Sequence, residues 1–332
     1  MDEYKHIRSF HTGPLLQITD WFTIIPGLEI LAKKTAKSVQ LDLNAPKTDL
    51  KNGALFISNH RDIIMDAAWL SLLLREKMNI RPFMGIGNNL FGKWWIEPFL
   101  RFNRGFAVMR GGSPRELMQH SETLSGYIHY LRSRKKSVWL AQREGRAKDG
   151  DDRTQPAVLK MLTLCSDPTD DGRKNNLLDN IRSLNICPVS ISYEYDPCDY
   201  LKAREMQLKR DNPEWKKAKE DDLESMSVGI HGQKGRVVYR ITSGINHWID
   251  KEEAQLKTMN RNEQIQAIAA QIDRQIHSAY EIFPRDEAFD RYIESRIDLI
   301  DLPCKDIPFL RERLHEMYAN PVINHEKALH HE

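Results

Sequence analysis

The sequence predicts an α/β fold in which a mixed sheet is flanked by helices, with helical additions at the N- and C-terminal ends. Short apolar runs of strand length recur between residues 54 and 241, and stretches with helical patterning separate them. The chain has 332 residues, 40% apolar and 29% charged. That is enough to bury a sizeable core and far from the composition of a disordered segment.

In chain order, Leu15, Leu16, Ile18, Trp21 and Phe22, then Ile24, Ile25, Leu28, Ile30 and Leu31, precede Lys33, Lys34 and Lys37, with a break expected at Pro26-Gly27. Two short amphipathic helices fit, packed on the protein's own core or set at an anionic membrane surface. Ala54–Ser58 has the pattern of a buried strand that ends at Asn59-His60, and the run from Ile63 through Leu74 suits a buried helix. A second strand, Phe106–Met109, ends at Arg110-Gly111-Gly112. Ser113-Pro114-Arg115-Glu116 then supplies an N-cap, a first-turn proline and a capping-box glutamate, and Leu117, Leu124, Ile128 and Leu131 share one face of the helix so begun. Ser137–Ala141 and Ile186–Tyr193 are the third and fourth strands, and Val237–Ile241 is another.

Residues 166–180 read as a surface loop, the densely charged residues 201–225 as an exposed helix, and the residues through His330-His331-Glu332 as a loose tail. Ile265, Ile268, Ile272, Ile276 and Tyr280 predict a packed helix stopped by Phe283-Pro284. The expected organisation is an amphipathic helical segment over 1–45, an α/β core over 46–248 and a helical extension over 249–332.

The net charge of +2 hides an asymmetry: residues 1–160 hold 25 Lys and Arg against 16 Asp and Glu. A basic half attracts anions, whether phosphorylated small molecules, anionic lipid or nucleic acid. Cys165, Cys187, Cys198 and Cys304 show neither paired spacing nor a nearby histidine at metal-ligand spacing, so no zinc site or disulfide framework is expected. No apolar stretch approaches the ~20 residues that cross a bilayer, and no signal core follows Met1. The expectation is a cytoplasmic protein, peripheral on the inner face of the membrane. No G-x-G-x-x-G, P-loop, H-E-x-x-H or G-x-S-x-G motif is present, so neither a metal nor an organic cofactor is expected.

The residue with most chemical promise is His60. Neutral imidazole takes a proton from a hydroxyl as its oxygen attacks a carbonyl, provided that an acidic partner fixes the ring. Asp62 and Asp66 are both near enough in sequence to serve. In open α/β sheets ligands sit beyond the carboxyl ends of strands, so the polar clusters at His60, at Arg110 and over Gln142–Lys148 are expected to converge.

Asn59-His60 with Asp66, then Phe106–Arg110, then Glu144-Gly145 with Arg143 and Arg146, then Pro188-Val189, resembles the ordered blocks of the glycerolipid acyltransferase superfamily, which includes the lysophosphatidic acid and glycerol-3-phosphate acyltransferases. The resemblance spans about residues 50–195. It implies that fold, with His60 as general base and Asp66 as its orienting partner. It further implies that Arg110 holds an acceptor phosphate, that Arg143, Glu144, Gly145, Arg146 and Lys148 lie around anionic groups, and that Pro188 shapes the pocket. Five residues separate His60 from Asp66 where the commonest family spacing is four, so Asp62 stays a competing partner.

The activity implied is O-acyl transfer from acyl-CoA or acyl-carrier protein to a lysophosphatidic acid- or glycerol-3-phosphate-like acceptor at a membrane surface, with no nucleic acid involved. Two rivals stand beside it: an acyltransferase for an N-acyl amino-acid lipid, and a non-catalytic anionic-lipid-binding protein.

Overall fold

Seven strands form one sheet in the computed structural model, which describes residues 25–91, 97, 100, 101, 103–165 and 176–330. They are β1 (Ser38–Leu43), β2 (Leu55–Ser58), β3 (Phe83–Gly87), β4 (Gly105–Val108), β5 (Val138–Ala141), β6 (Ile186–Tyr193) and β7 (Arg236–Ile241), in the spatial order β1-β7-β6-β2-β5-β3-β4. From β6 through β4 all neighbours are parallel, whereas β7 runs antiparallel to β6 and carries β1 parallel beside it. This is the mixed, helix-flanked sheet that the sequence predicts. Five strands therefore deliver their C-terminal ends to one edge, where the chain must leave the ladder and backbone and side-chain polar groups become available to a ligand.

The central strands are mostly apolar, with serines only at Ser58, Ser190 and Ser192, because both faces are covered. Every residue of β2 and β6 is buried, as expected for strands between two layers. Leu55 and Ile57 face one core with Phe106, Val138, Leu140 and Ile186, while Phe56 faces the other with Met84, Trp139, Cys187 and Val189. The alternation is the two-residue period of a strand. Over the first face lie α4 (Pro114–Ser133), α5 (Pro156–Leu162), α6 (Leu177–Leu184), α9 (Asn246–Leu256) and α10 (Arg261–Ser278); over the second lie α1 (Ile25–Thr35) and α3 (Met65–Met78), with α2 (Lys47–Lys51) beside them. The capping boxes of α4, Ser113 with Glu116, and of α10, Asn260 with Glu263, are both formed.

A third apolar cluster joins α7 (Asp199–Asp211) to α11 (Glu287–Asp298) and α12 (Ile307–Leu329) through Ala203, Ile293, Ile297, Leu310 and Leu314. The fully buried Asp199 fastens it, accepting from Tyr292 Oη at 2.7 Å, Tyr318 Oη at 2.7 Å and Arg296 Nε at 2.6 Å.

Several elements differ from the sequence reading. Edge strand β1 lies inside the segment expected to be wholly helical, and β3 was not foreseen. Pro26-Gly27 falls within the first turn of α1, where a proline's missing N–H is no loss. Residues 1–24, with Trp21 and Phe22, lie outside the described residues, as does most of the expected loop, 166–175. Residues 201–225 are split between two helices, α7 and α8 (Lys219–His231), with 212–218 as the connection. They are not one exposed face, because Lys202, Glu205 and Gln207 are buried in polar contacts. The packed helix expected from Ile265 to Tyr280 does form, as α10, and rests on β6 in the main core. The expected tail is helical through Leu329, with only residues 331 and 332 outside the described residues.

Candidate active site

As β2 ends, Asn59 is held by β6: its Oδ1 accepts from Ile191 N at 2.8 Å and its Nδ2 donates to Ile191 O at 2.9 Å. The side-chain amide thus continues the ladder for one more step and fixes where His60 begins. The chain then turns into α3, whose first turn contains Asp66. A helix N-terminus favours a carboxylate there, and this one folds back over the turn. Asp66 Oδ2 accepts from Arg61 N at 2.6 Å, Asp62 N at 2.9 Å and His60 Nδ1 at 2.9 Å, while Oδ1 accepts from Tyr193 Oη at 3.1 Å.

A carboxylate only accepts, so the contact assigns the hydrogen to Nδ1 and leaves Nε2 as the ring's acceptor. Nε2 makes no hydrogen bond among the described residues, and His60 is 7% exposed. The edge of Trp139 stands against the imidazole, with centroids 6.3 Å apart, and its indole N–H is tied to Ser58 Oγ at 3.0 Å. One ring nitrogen is thus clamped to an anion and the other is able to accept a proton.

Of the two candidate aspartates, Asp66 meets the ring. Asp62 has a different task, accepting from Ile64 N at 2.9 Å and Met65 N at 2.7 Å through Oδ1, and so starts α3. Its Oδ2 is buried without a partner and faces Gly229 of α8, where any Cβ would overlap the carboxylate. Burial, reinforced by the nearby charge of Asp66, pushes the Asp62 carboxyl above its ordinary value.

A third carboxylate, Asp152, carries no motif and was not foreseen. Its Oδ2 accepts from the main-chain N–H of His60 at 2.7 Å, and its Oδ1 from Gln142 Nε2 at 3.1 Å. Burial raises its pKa, opposed by the His60 N–H and by the charge of Arg61. Tyr193, the second unforeseen member, ends the β6 run on the same sheet edge, and that position was its only signal in the sequence. Burial keeps its phenol protonated, hence a donor to Asp66.

The other expected residues divide. Arg110 follows β4, its main-chain N–H held by Asn88 Oδ1 at 3.1 Å and its guanidinium lying over Gly87, where a Cβ would come within 2.9 Å of Arg110 Cζ. Its Nε is 3.9 Å from Glu144. Gly145 takes a left-handed φ of 70° in the same turn, a conformation that suits glycine. Arg143 Nη1 is 4.0 Å from Asp152, the acceptor of the His60 N–H. These four residues follow strands that end on the same sheet edge as β2, and Arg143 is linked to His60 through Asp152.

Arg146 lies elsewhere. It turns beneath α7 and α8, beside Lys202, Arg204 and Glu205, with Nη1 buried and unpartnered. Lys148 is likewise engaged elsewhere, paired with Glu205. Pro188 is in β6, opposite Ile57. Among the described residues no cluster of three or more His, Cys, Asp or Glu is placed to hold a metal ion, and no helix is long and apolar enough to cross a membrane.

No protein-family model matches the chain, and no curated protein matches it. Among solved structures it is similar to the crystal structure of the 1-acyl-sn-glycerophosphate (LPA) acyltransferase PlsC from Thermotoga maritima. The identity is 12% and the TM-score 0.36, over 77% of this chain and 78% of that one.

Proposed function

We propose that this chain is an O-acyltransferase in which His60 is the general base. The observation that carries the reading is the imidazole held at 2.9 Å by the buried Asp66, with Nε2 unpartnered at the edge where five strands end. In the reaction, Nε2 removes the proton from an acceptor hydroxyl as its oxygen attacks the carbonyl carbon of an acyl thioester. The tetrahedral intermediate collapses with cleavage of the C–S bond, and the departing thiolate takes the proton back from the imidazolium. Asp66 holds the ring and stabilises its charged form; Asp152 and Asn59 hold the backbone that carries it. No covalent acyl-enzyme and no cofactor enter the scheme.

The donor is acyl-CoA or acyl-carrier protein. The acceptor is of the lysophosphatidic acid or glycerol-3-phosphate class, with Arg110 and Arg143 meeting its phosphate at a membrane surface on the cytoplasmic side. Incubating the protein with acyl thioesters and a panel of lysophospholipids, glycerol-3-phosphate and N-acyl amino acids, followed by mass spectrometry, tests this reading. His60→Ala abolishes product; turnover near the unmodified level in that variant refutes the base.

The ion pair at Arg110 supports a second reading of the acceptor. Glu144 already offsets part of the arginine's charge, which suits a neutral or singly charged acceptor, such as an N-acyl amino-acid lipid, better than a phosphate dianion. If that is the acceptor, Arg110→Ala leaves activity on it within a few-fold. If a phosphate sits there, the same change raises KM or lowers kcat by about tenfold or more.

A further inference from the structure

Behind the His60 turn, on the side away from Arg110, a cleft opens between the turn at residues 147–150, the end of β6, the segment 280–285 that follows α10, and α12. Four cations and two carboxylates line it. Most of these charges are already satisfied. Lys202 pairs with Asp196, Lys148 with Glu205, and Glu281 with Arg240. Arg285 donates to Glu194 O at 3.0 Å and lies 4.6 Å over the ring of Tyr318.

Two groups are left over. Arg61 lines the cleft with a guanidinium that makes no hydrogen bond among the described residues, its Nε fully buried, and Tyr280, 3% exposed, has a buried hydroxyl without a partner. Buried donors lacking acceptors are rare and costly. Here the residues that carry two of them, Arg61 Nε and Tyr280 Oη, line one cavity, and the guanidinium is a charged group whose geometry matches a carboxylate or phosphate. Asp152 and Asp196 are close enough to feel the charge of Arg61, yet neither bonds to it. The opposite wall is apolar, formed by Phe283, Met317, Pro321 and Val322.

We propose that this cleft is an oxyanion-binding site, separate from the His60 and Arg110 edge, in which Arg61 and the Tyr280 hydroxyl hold the carboxylate or phosphate of a small amphipathic ligand whose apolar part lies against α12. The oxyanion is carried by a lipid head group or is free in solution; both present the same oxygens to the same donors. The site does not depend on acyl transfer. It touches the reaction centre through two lining residues, since the main-chain N–H of Arg61 and the hydroxyl of Tyr193 both donate to the carboxylate that holds His60.

The experiment is calorimetric titration of the full chain with inorganic phosphate, butyrate and a short-chain phosphatidate, together with melting curves with and without each. The unmodified protein binds at least one of them. Tyr280→Phe, which removes a single hydroxyl, weakens binding about 3- to 10-fold, and Arg61→Gln weakens it more than 10-fold. His60→Ala binds as the unmodified chain does. Tyr280→Phe melts no lower than the unmodified chain without ligand, because the lost hydroxyl had no partner, but gains less in melting temperature from the ligand. Binding of phosphatidate alone identifies a lipid head group; equal binding of inorganic phosphate identifies a free anion. Absence of binding by all three probes overturns the proposal. So does unchanged affinity in both Tyr280→Phe and Arg61→Gln, or binding that Arg110→Ala abolishes and Tyr280→Phe leaves intact.

Discussion

Replacing Asp66 with Asn keeps the shape of the side chain and removes its charge, so it separates orientation from electrostatics at His60. Four donors converge on this carboxylate, three of them on Oδ2. An asparagine satisfies the three only by pointing its oxygen at them, which turns its NH2 toward Tyr193 Oη and obliges that hydroxyl to accept. The fold survives with weaker bonds: each loses about 1 kcal/mol of charge assistance. Relief from burying an ion offsets part of the sum, leaving a net loss of about 1–3 kcal/mol.

The effect on rate is larger. The imidazolium formed during proton transfer loses an anion about 4 Å from its charge centre, worth about 4 kcal/mol at an effective dielectric constant near 20. That corresponds to a fall of about 10²- to 10³-fold in kcat. Urea melts give the first quantity and thioester consumption the second. An Asp66→Asn protein that folds and turns over within about threefold of the unmodified chain, less than 1 kcal/mol on this scale, refutes the assignment of Asp66 to the ring.

Asp62→Asn tests the competing partner: it keeps an oxygen for Ile64 N and Met65 N, so turnover stays within a few-fold. The folded-state pKa of Asp62 is raised, so its contribution to stability is fully present below the unfolded value and is lost as pH rises through the folded one. The variant is therefore as stable as the unmodified chain at neutral pH or more so, and urea melts between pH 4 and 7 show a smaller loss with rising pH. An unchanged pH slope contradicts this. Gly229→Ala drives a methyl group into the Asp62 carboxylate and costs about 1–3 kcal/mol; hydrogen exchange in α8 rises, and unchanged protection there counts against the packing described. Asp152→Ala leaves the His60 N–H unpaired, lowers stability by about 1–3 kcal/mol and lowers kcat more than it changes KM, which steady-state kinetics on the folded variant checks.

The strands that position the site were legible because each is an apolar run cut off by polar residues. β2, β4, β5 and β6 all end where the sequence changes character. β1 was not legible: Ser38-Val39-Gln40-Leu41-Asp42-Leu43 alternates on an edge after a lysine-rich helix and buries only Leu41. Phe83-Met84-Gly85-Ile86-Gly87 hid β3 because two glycines weaken a strand pattern. Gly85 lies where a Cβ would collide with Leu140, and Gly87 lies under Arg110, so packing requires what propensity disfavours. The choice between Asp62 and Asp66 depended on how the turn folds back over α3, which spacing does not encode. Asp152 and Tyr193 join His60 from 92 and 133 residues away, beyond the reach of any local pattern. Arg146, foreseen beside its neighbours, follows the left-handed Gly145 and lies instead beside Lys202, Arg204 and Glu205.

β2 has β5 on one side and β6 on the other, and both are made after it. When the ribosome has released His60, Asp66 is already present, but the strand that aims them has no neighbour on either side. Asn59 waits for Ile191, 132 residues on, and Asp66 waits for Tyr193. The histidine motif is among the first chemistry-bearing parts to be synthesised, yet it acquires its geometry only when residues 191–193 have joined the sheet. Chains that stop short of β6 carry every atom of the His60–Asp66 pair and lack the Ile191 and Tyr193 contacts that align it.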